Sequence, residues 1–148
     1  MTGVRLVVND TVYVLGTLRP IYVFTVDTLV AGGEESRTSV AVDGDKFPFA
    51  IDGLSIYAGN VVNPHKLLID FSLMKQEGEE KILVNFPYVL KGTRFSDHYI
   101  PLKKDTFYPI LPLRKELHIK LKNNDSVNDV TGIAVAVWGY PVLAQEKG

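Results

Sequence analysis

Three consecutive residues, Ser96, Asp97 and His98, contain the residue types of a nucleophilic catalytic triad. In such a triad the three side chains must converge on one point in space. Consecutive residues of an extended chain project to opposite sides, so this tripeptide does not align the three groups by itself. The pattern favours a solvated loop, and the sequence therefore predicts no catalytic residue and no enzyme activity.

The remaining candidates for metal chemistry are two histidines and a cluster of aspartates. His65 and His118 have no HxH or HExxH spacing, and a zinc site would require them to meet His98 or nearby carboxylates through the fold. The segment Asp43-Gly-Asp45, with Asp52 close by, could offer oxygen ligands to calcium. The same residues are typical of hairpin turns, and the twelve-residue calcium-loop pattern is missing. We expect no metal and no cofactor.

Basic residues cluster in the C-terminal third and have aromatic residues among them, as on an oligonucleotide-binding face. The basic members are Lys103, Lys104, Arg114, Lys115, Lys120 and Lys122, and the aromatic ones are Tyr99, Phe107 and Tyr108. Acidic neighbours and a formal net charge of −1 indicate a solvated face instead, with no attraction to nucleic acid or to an anionic membrane. Gly32-Gly33 lacks the lysine and hydroxyl residue of a phosphate-binding loop, so the sequence gives no support for nucleotide binding. We expect no small-molecule substrate.

Length and composition limit the kind of fold that can position these residues. The chain has 148 residues, of which 46% are hydrophobic and 22% charged, as expected for one globular domain. Cysteine is absent, which excludes disulfides and thiolate metal sites. The N-terminus lacks a signal-peptide pattern, and the longest nearly apolar stretch, residues 132–144, is too short to span a bilayer as a helix. We expect a soluble protein.

Apolar residues alternate with polar ones along most of the chain, which predicts β-strands. In residues 116–122, for example, Leu117, Ile119 and Leu121 share one face. Turn signals at roughly ten-residue spacing, including Asp52-Gly53, predict an antiparallel, jelly-roll-like β-sandwich. The predicted strands are 4–8, 11–15, 21–30, 37–42, 47–51, 54–57, 66–73, 81–90, 99–102, 107–111, 116–122 and 131–143.

The first twenty residues are set off from the rest by Gly16 and by Arg19-Pro20. They have strand propensity, and two interpretations are open. Residues 1–20 form either an N-terminal arm that reaches onto a neighbouring molecule or an edge hairpin of the same domain. In both interpretations, residues 21–148 form a single β-sandwich domain.

The last predicted strand is apolar on both faces. Ile133 and its alternate neighbours occupy one face, and Ala134, Ala136, Trp138 and Tyr140 occupy the other. Such a strand lies in the middle of a covered sheet or at a subunit interface. Trp138 and Tyr140 belong to the residue types enriched in interface cores, and they could instead stack on sugar rings. Core packing is the third interpretation.

Several segments together resemble auxiliary virion proteins of tailed bacteriophages. They are Tyr108 to Asn124, Val130-Thr131, Val137-Trp-Gly-Tyr140, Phe49 to Leu54 and Ile69 to Ser72. Proteins of that group often end in a strand, an Asn-rich turn and a last strand that finishes in Gly-Tyr. The resemblance implies a jelly-roll-like sandwich that decorates or cements a capsid, often as a trimer, with a terminal arm over the next subunit.

The sequence thus favours a structural virion protein, assembled in the host cytoplasm as a homo-oligomer, with a trimer expected. Its partners would be a major capsid protein or another virion protein. The alternative is a carbohydrate- or receptor-binding module that uses Trp138, Tyr140 or Tyr57 as a stacking platform, with calcium at Asp43 and Asp45. A cupin-like or lyase-like enzyme is a third hypothesis, weakened by the small number of histidines.

Overall fold

The fold comes from a computed structural model that describes residues 4–8, 11–62, 66–74, 80–87, 98–102 and 108–147. These residues form eleven β-strands and no α-helix. The strands are Val4–Val8 (β1), Thr11–Leu15 (β2), Arg19–Leu29 (β3), Glu34–Val40 (β4), Phe49–Asn60 (β5), Leu67–Met74 (β6), Glu80–Pro87 (β7), His98–Pro101 (β8), Ile110–Leu111 (β9), Glu116–Asn123 (β10) and Val130–Lys147 (β11).

The strands form two antiparallel sheets. In the seven-stranded sheet the order is β1-β2-β11-β5-β8, with β3 also paired to β11 and β9 to β5. The four-stranded sheet has the order β4-β10-β6-β7. The long strand β11 organises the first sheet, because β3 pairs with its residues 130–139, β5 with residues 131–141 and β2 with residues 142–147.

The main core lies between the two sheets. The apolar face of β10, Leu117, Ile119 and Leu121, is fully buried against residues such as Val135 and Val137 of β11. Alternation along β10 thus buries one side chain in two, as the sequence pattern predicted. The predicted antiparallel β-sandwich is confirmed.

A second, smaller core lies beside the first, where the N-terminal hairpin joins the sandwich. Leu15, Ala50 and Val142 are buried there, and Tyr108 and Tyr140 pack against them. This minor core attaches the hairpin β1–β2 to β11. Beyond it, the three strands continue as a ribbon that we define as β1, β2 and residues 142–147 of β11.

The predicted boundary between residues 20 and 21 falls inside β3, which begins at Arg19. Residues 4–8 and 11–15 form a hairpin hydrogen-bonded to the end of β11. The division of the chain at residue 20 stays a prediction. Within the described segments, no helix is long and apolar enough to cross a membrane.

One predicted turn is wrong. Asp52-Gly53 lies inside the continuous strand β5, where the register against β11 shifts because Gly53 pairs with Trp138 and Ile51 with Gly139. The extra residue, Asp52, forms a β-bulge, a feature that uses the same residue types as a turn. The two strands predicted at 47–51 and 54–57 are therefore one.

A polar clasp closes the end of the sandwich at which β11 begins, and we define it as Asn123, Asp125 and Asn128. The Asn123 amide nitrogen donates to the main-chain carbonyls of Asn128 at 2.9 Å, Leu29 at 3.2 Å and Val30 at 3.3 Å. The Asp125 carboxylate accepts from the backbone N–H groups of residues 127 and 128. Asn123 and Asp125 are both buried and have lost their hydrogen bonds to water. The hydrogen bonds within the clasp compensate for that loss, which would otherwise destabilise the fold.

Candidate functional site on the outer face of the seven-stranded sheet

The side of the seven-stranded sheet that faces away from the main core presents three rows of aligned residues. Strand registry places Tyr99, Ser55, Ala136 and Val23 side by side across β8, β5, β11 and β3. A neighbouring row holds Tyr57 and Ala134, and the next holds Gly53 and Trp138. We call Val23, Ser55, Tyr57, Tyr99, Ala134, Ala136 and Trp138 the outer sheet face.

The outer sheet face is apolar and open. Val23 is 59% exposed, Tyr57 43% and Tyr99 45%, while Ala134 and Ala136 between them are half-buried. The two alanines leave the centre low, so the larger side chains stand around it.

Trp138 is held in place at the edge of this surface. Its indole N–H donates to the Ser55 hydroxyl oxygen at 2.9 Å, and the residue is half-buried. Ser55 belongs to the bulged strand β5, and the bulge lies between it and Ile51. The indole is thus a fixed apolar body with its polar end already satisfied.

Tyr99 is fixed in a similar way. Its hydroxyl donates to the carboxylate of Asp52, which is buried, and its ring lies so close over Gly53 that a Cβ there would overlap it. Burial of the phenol raises the pKa of Tyr99, and the hydrogen bond to Asp52 raises this pKa further. Tyr99 is therefore a neutral hydrogen-bond donor throughout the physiological pH range.

Tyr140, the fourth residue predicted for this face, has a different role. It shares the side of β11 with Trp138, but it packs into the minor core, with its ring edge-on to Tyr108 at a centroid distance of 6.0 Å. Ala134, Ala136 and Trp138 lie together on the outer sheet face, and Tyr140 lies where the ribbon begins. Their role as an interface or ligand-stacking group stays a prediction.

No protein-family model matches the chain, and no curated protein sequence matches it. Among solved structures, a chain in the complex of the Aeromonas sobria serine protease ASP with the chaperone ORF2 is similar, with a TM-score of 0.51 and 10% identity over 88% of this chain and 28% of that chain. What the two share is a fold.

Two viral structures are also similar to this chain. The structure of the infectious bursal disease virus Gx strain matches with a TM-score of 0.45 and 14% identity, over 91% of this chain and 33% of that chain. The VP2 subviral particle of the same virus matches with a TM-score of 0.33 and 12% identity, over 86% and 37%. Both are too distant to add an argument. The chain spans about a third or less of each matched protein, so their activities belong to larger molecules.

The other sequence-predicted candidates occupy separate places. The Asp43 carboxylate accepts from Arg19 at 3.3 Å and lies 3.8 Å from the Lys46 ammonium, in a turn where Asp43 has a φ of 63°. His118 Nδ1 is 2.6 Å from the Thr38 hydroxyl on the four-stranded sheet. In the described ranges, no group of three or more metal-ligating side chains converges. Ser96, Asp97, His65, Lys103, Lys104 and Phe107 lie outside the described residues.

The predicted basic cluster is divided between the two sheets. Lys120 and Lys122 lie 3.4 and 3.5 Å from the two carboxylate oxygens of Glu34 on the four-stranded sheet. Tyr108 instead packs against Tyr140 at the seven-stranded sheet. These two lysines therefore share one carboxylate on the four-stranded sheet and lie on a different sheet from that aromatic residue.

Sequence reasoning missed Val23, Ser55 and Tyr99 as members of the outer sheet face. Their strands are distant in sequence, and only the register of β3, β5 and β8 against their neighbours aligns them. One signal was present, because Val23 and Thr25 alternate with the inward side chains Tyr22 and Phe24 in the predicted strand. Cross-strand pairing itself cannot be obtained from that alternation.

Proposed function

We propose that this chain is a non-enzymatic structural virion protein that decorates or cements a phage capsid through protein–protein contacts. The observation that carries the proposal is the outer sheet face, an exposed apolar surface centred on Ala134 and Ala136. Burial of such a surface against another protein is favourable by roughly 25 cal/mol for each Å² of apolar area removed from water. A subunit that binds only the assembled shell stabilises that shell by mass action.

The contrast with the other exposed surface supports this choice of face. None of the seven residues of the outer sheet face is charged. The four-stranded sheet instead presents Glu34, Lys120 and Lys122 together on its solvent face. Interface cores are depleted in charged residues and enriched in aromatic ones, so the uncharged face is the better docking surface.

The rigidity of the aromatic groups supports the proposal as well. Trp138 is bonded to Ser55 and Tyr99 to Asp52, so neither side chain must be ordered when a partner binds. Preorganised aromatic anchors contribute most to binding, because little side-chain entropy is lost. The proposed partners are further copies of this chain, with a trimer expected, and a major capsid or other virion protein. The sequence resemblance to auxiliary phage proteins points to the same partners and to assembly in the host cytoplasm.

Val23→Lys tests the proposal, with Val127→Lys as the matched control. Both valines are highly exposed, at 59% and 80%, but Val127 lies in the turn between β10 and β11, before the strand residues that form the outer sheet face. A lysine at position 23 would place a charge in the proposed contact. We expect Val23→Lys to lower the mass measured by light scattering and the binding to purified particles, with an unchanged melting curve. Equal behaviour of the two variants would contradict the proposal.

A carbohydrate-binding module is the second candidate function, favoured by the exposed rings of Tyr57 on β5 and Tyr99 on the neighbouring strand β8. Aromatic faces stack on sugar rings. This function predicts that Tyr57→Ala loses binding on a glycan array while the oligomeric mass stays the same. If the parent protein binds no glycan and the oligomeric mass falls in Tyr57→Ala, the virion role is favoured instead.

A further inference from the structure

The edge strands of the two sheets differ in how they are protected against pairing with another chain. Exposed edges in native proteins usually carry charges or proline, or are very short. β8 has four residues and includes Pro101, and β9 has two. The longer edge strands carry several charged residues or prolines. These are Pro20 and Asp27 in β3, Glu34, Glu35 and Arg37 in β4, and Glu80, Lys81 and Pro87 in β7.

β1 has less of this protection. Its sequence, Val4-Arg-Leu-Val-Val8, holds four aliphatic residues and one charge, and five residues are enough for a full strand pairing. Within the described residues, β1 is hydrogen-bonded to β2 alone and lies at the end of the sheet. The backbone groups on its outer margin thus form a template for a further strand.

The ribbon holds this margin clear of the sandwich. The minor core at Leu15 and Val142 anchors it, and beyond that point residues 143–146 of β11 are exposed. On β1 itself, Arg5 is exposed and Val7 is 62% exposed. No described strand other than β2 pairs with β1, so as far as the described residues extend another chain can reach the outer edge of β1 without displacing either core.

The position of Arg5 in β1 favours an antiparallel over a parallel pair of two β1 strands. In an antiparallel pair of two β1 strands centred on position 6, Arg5 of each copy lies opposite Val7 of the other, and no like charges meet. A parallel pair in register would instead place the two Arg5 residues side by side, which is unfavourable. The antiparallel arrangement is isologous, so it uses up both margins and ends there rather than growing into a fibre.

We propose that β1 pairs antiparallel with β1 of a second copy of this chain, with position 6 at the two-fold axis. This pairing extends the seven-stranded sheet across two molecules and links copies that the outer sheet face does not join. It depends only on the edge strand, so it stands or fails separately from the proposed virion role.

The absence of cysteine makes cross-linking a direct test. Directly opposed residues of antiparallel strands have Cα atoms at about 4.5–5.5 Å, within the range that a disulfide bridges. We expect Leu6→Cys, after mild oxidation of the full chain, to give a covalent species of twice the 16.5 kDa chain mass. Arg5→Cys should not, because position 5 lies diagonally from its own copy. No dimer from Leu6→Cys, or an equal yield from Arg5→Cys, would overturn the proposal.

A charge exchange in the Leu6→Cys background tests the register. Adding Val7→Arg places Arg5 of each copy opposite the new arginine at position 7 of the other copy. Because like charges then meet at two places, we expect the dimer yield to fall about tenfold. Adding Arg5→Glu as well restores opposite charges, so the yield should recover. Val62→Arg, at a comparably exposed valine outside the ribbon, should have no effect. Failure of Arg5→Glu to restore the yield would contradict this register.

The two proposals have distinguishable failures. Val23→Lys alters the outer sheet face and should leave the cross-link at position 6 unchanged. Val7→Arg alters the ribbon and should leave the oligomer formed through the outer sheet face intact. A cross-link that disappears in Val23→Lys would show that the strand pairing depends on that face and would overturn its independence.

Discussion

The two halves of β11 are continuous in backbone but differ in surroundings. Between Thr131 and Gly139 the strand has β3 on one side and β5 on the other, and Ile133, Val135 and Val137 are almost fully buried. From Val142 onward β2 is its paired strand, and Leu143 is 39% exposed. The difference shows that burial follows from the neighbouring strands and not from the apolar character of the strand alone. The first half stabilises the domain. The second half pairs with β2 and so supports the edge strand β1, which is available to other molecules.

The largest expected effect comes from the first half of β11. Ile133→Ala would leave a cavity between the sheets, and the free energy of unfolding should fall by about 3 kcal/mol. Leu143→Ala, in the second half, removes a side chain that is partly solvated, so the change should stay within about 0.5 kcal/mol. Urea denaturation of both variants measures the contrast, and equal losses would show that the two halves are packed alike.

A smaller effect is expected at the clasp that precedes β11. Asn123→Ala removes the amide that bonds three carbonyls and the oxygen that accepts from the Asp125 backbone N–H at 3.0 Å. Buried polar groups left without partners cost free energy, so unfolding should become easier by about 2 kcal/mol. Asn124 is exposed and provides the control. An Asn123→Ala variant as stable as Asn124→Ala would mean that the clasp does not fasten this end of the sandwich.

The smallest effect concerns Tyr99 and appears only at alkaline pH. The pKa of Tyr99 is raised above its ordinary value of 10.0, mainly by burial, so the folded protein retains a proton that the unfolded chain loses. This contribution to stability is complete below about pH 10 and decreases as the pH rises toward the folded pKa. Stability should therefore fall less steeply above pH 10 in Tyr99→Phe than in the parent. Parallel pH profiles of unfolding would contradict this assignment.

The sequence was sufficient for the features that depend on local alternation. The strands at 4–8, 11–15 and 116–122, the inward face of β10 and the sandwich architecture all follow from period-two patterns and turn residues. The two-sided apolar character of residues 131–143 also indicated a central strand, and β11 lies between β3 and β5.

Features that depend on distant partners were missed. The bulge at Asp52-Gly53 has the composition of a turn, and only its pairing with β11 distinguishes the two. The clasp joins Asn123 to Leu29, and its turn residues gave no indication of that contact. The outer sheet face combines β3, β5, β8 and β11, whose register is set by tertiary packing rather than by local propensity.

The mass of the unmodified chain in solution tests the central claim most directly, namely that the protein acts by burying its outer sheet face against other subunits. Light scattering over a series of concentrations should give an oligomer of three times the 16.5 kDa chain mass, or six times where β1 also pairs, and Val23→Lys but not Val127→Lys should lower this mass to that of a dimer or less. A mass of 16.5 kDa at every concentration, together with no binding to purified particles, would contradict the account.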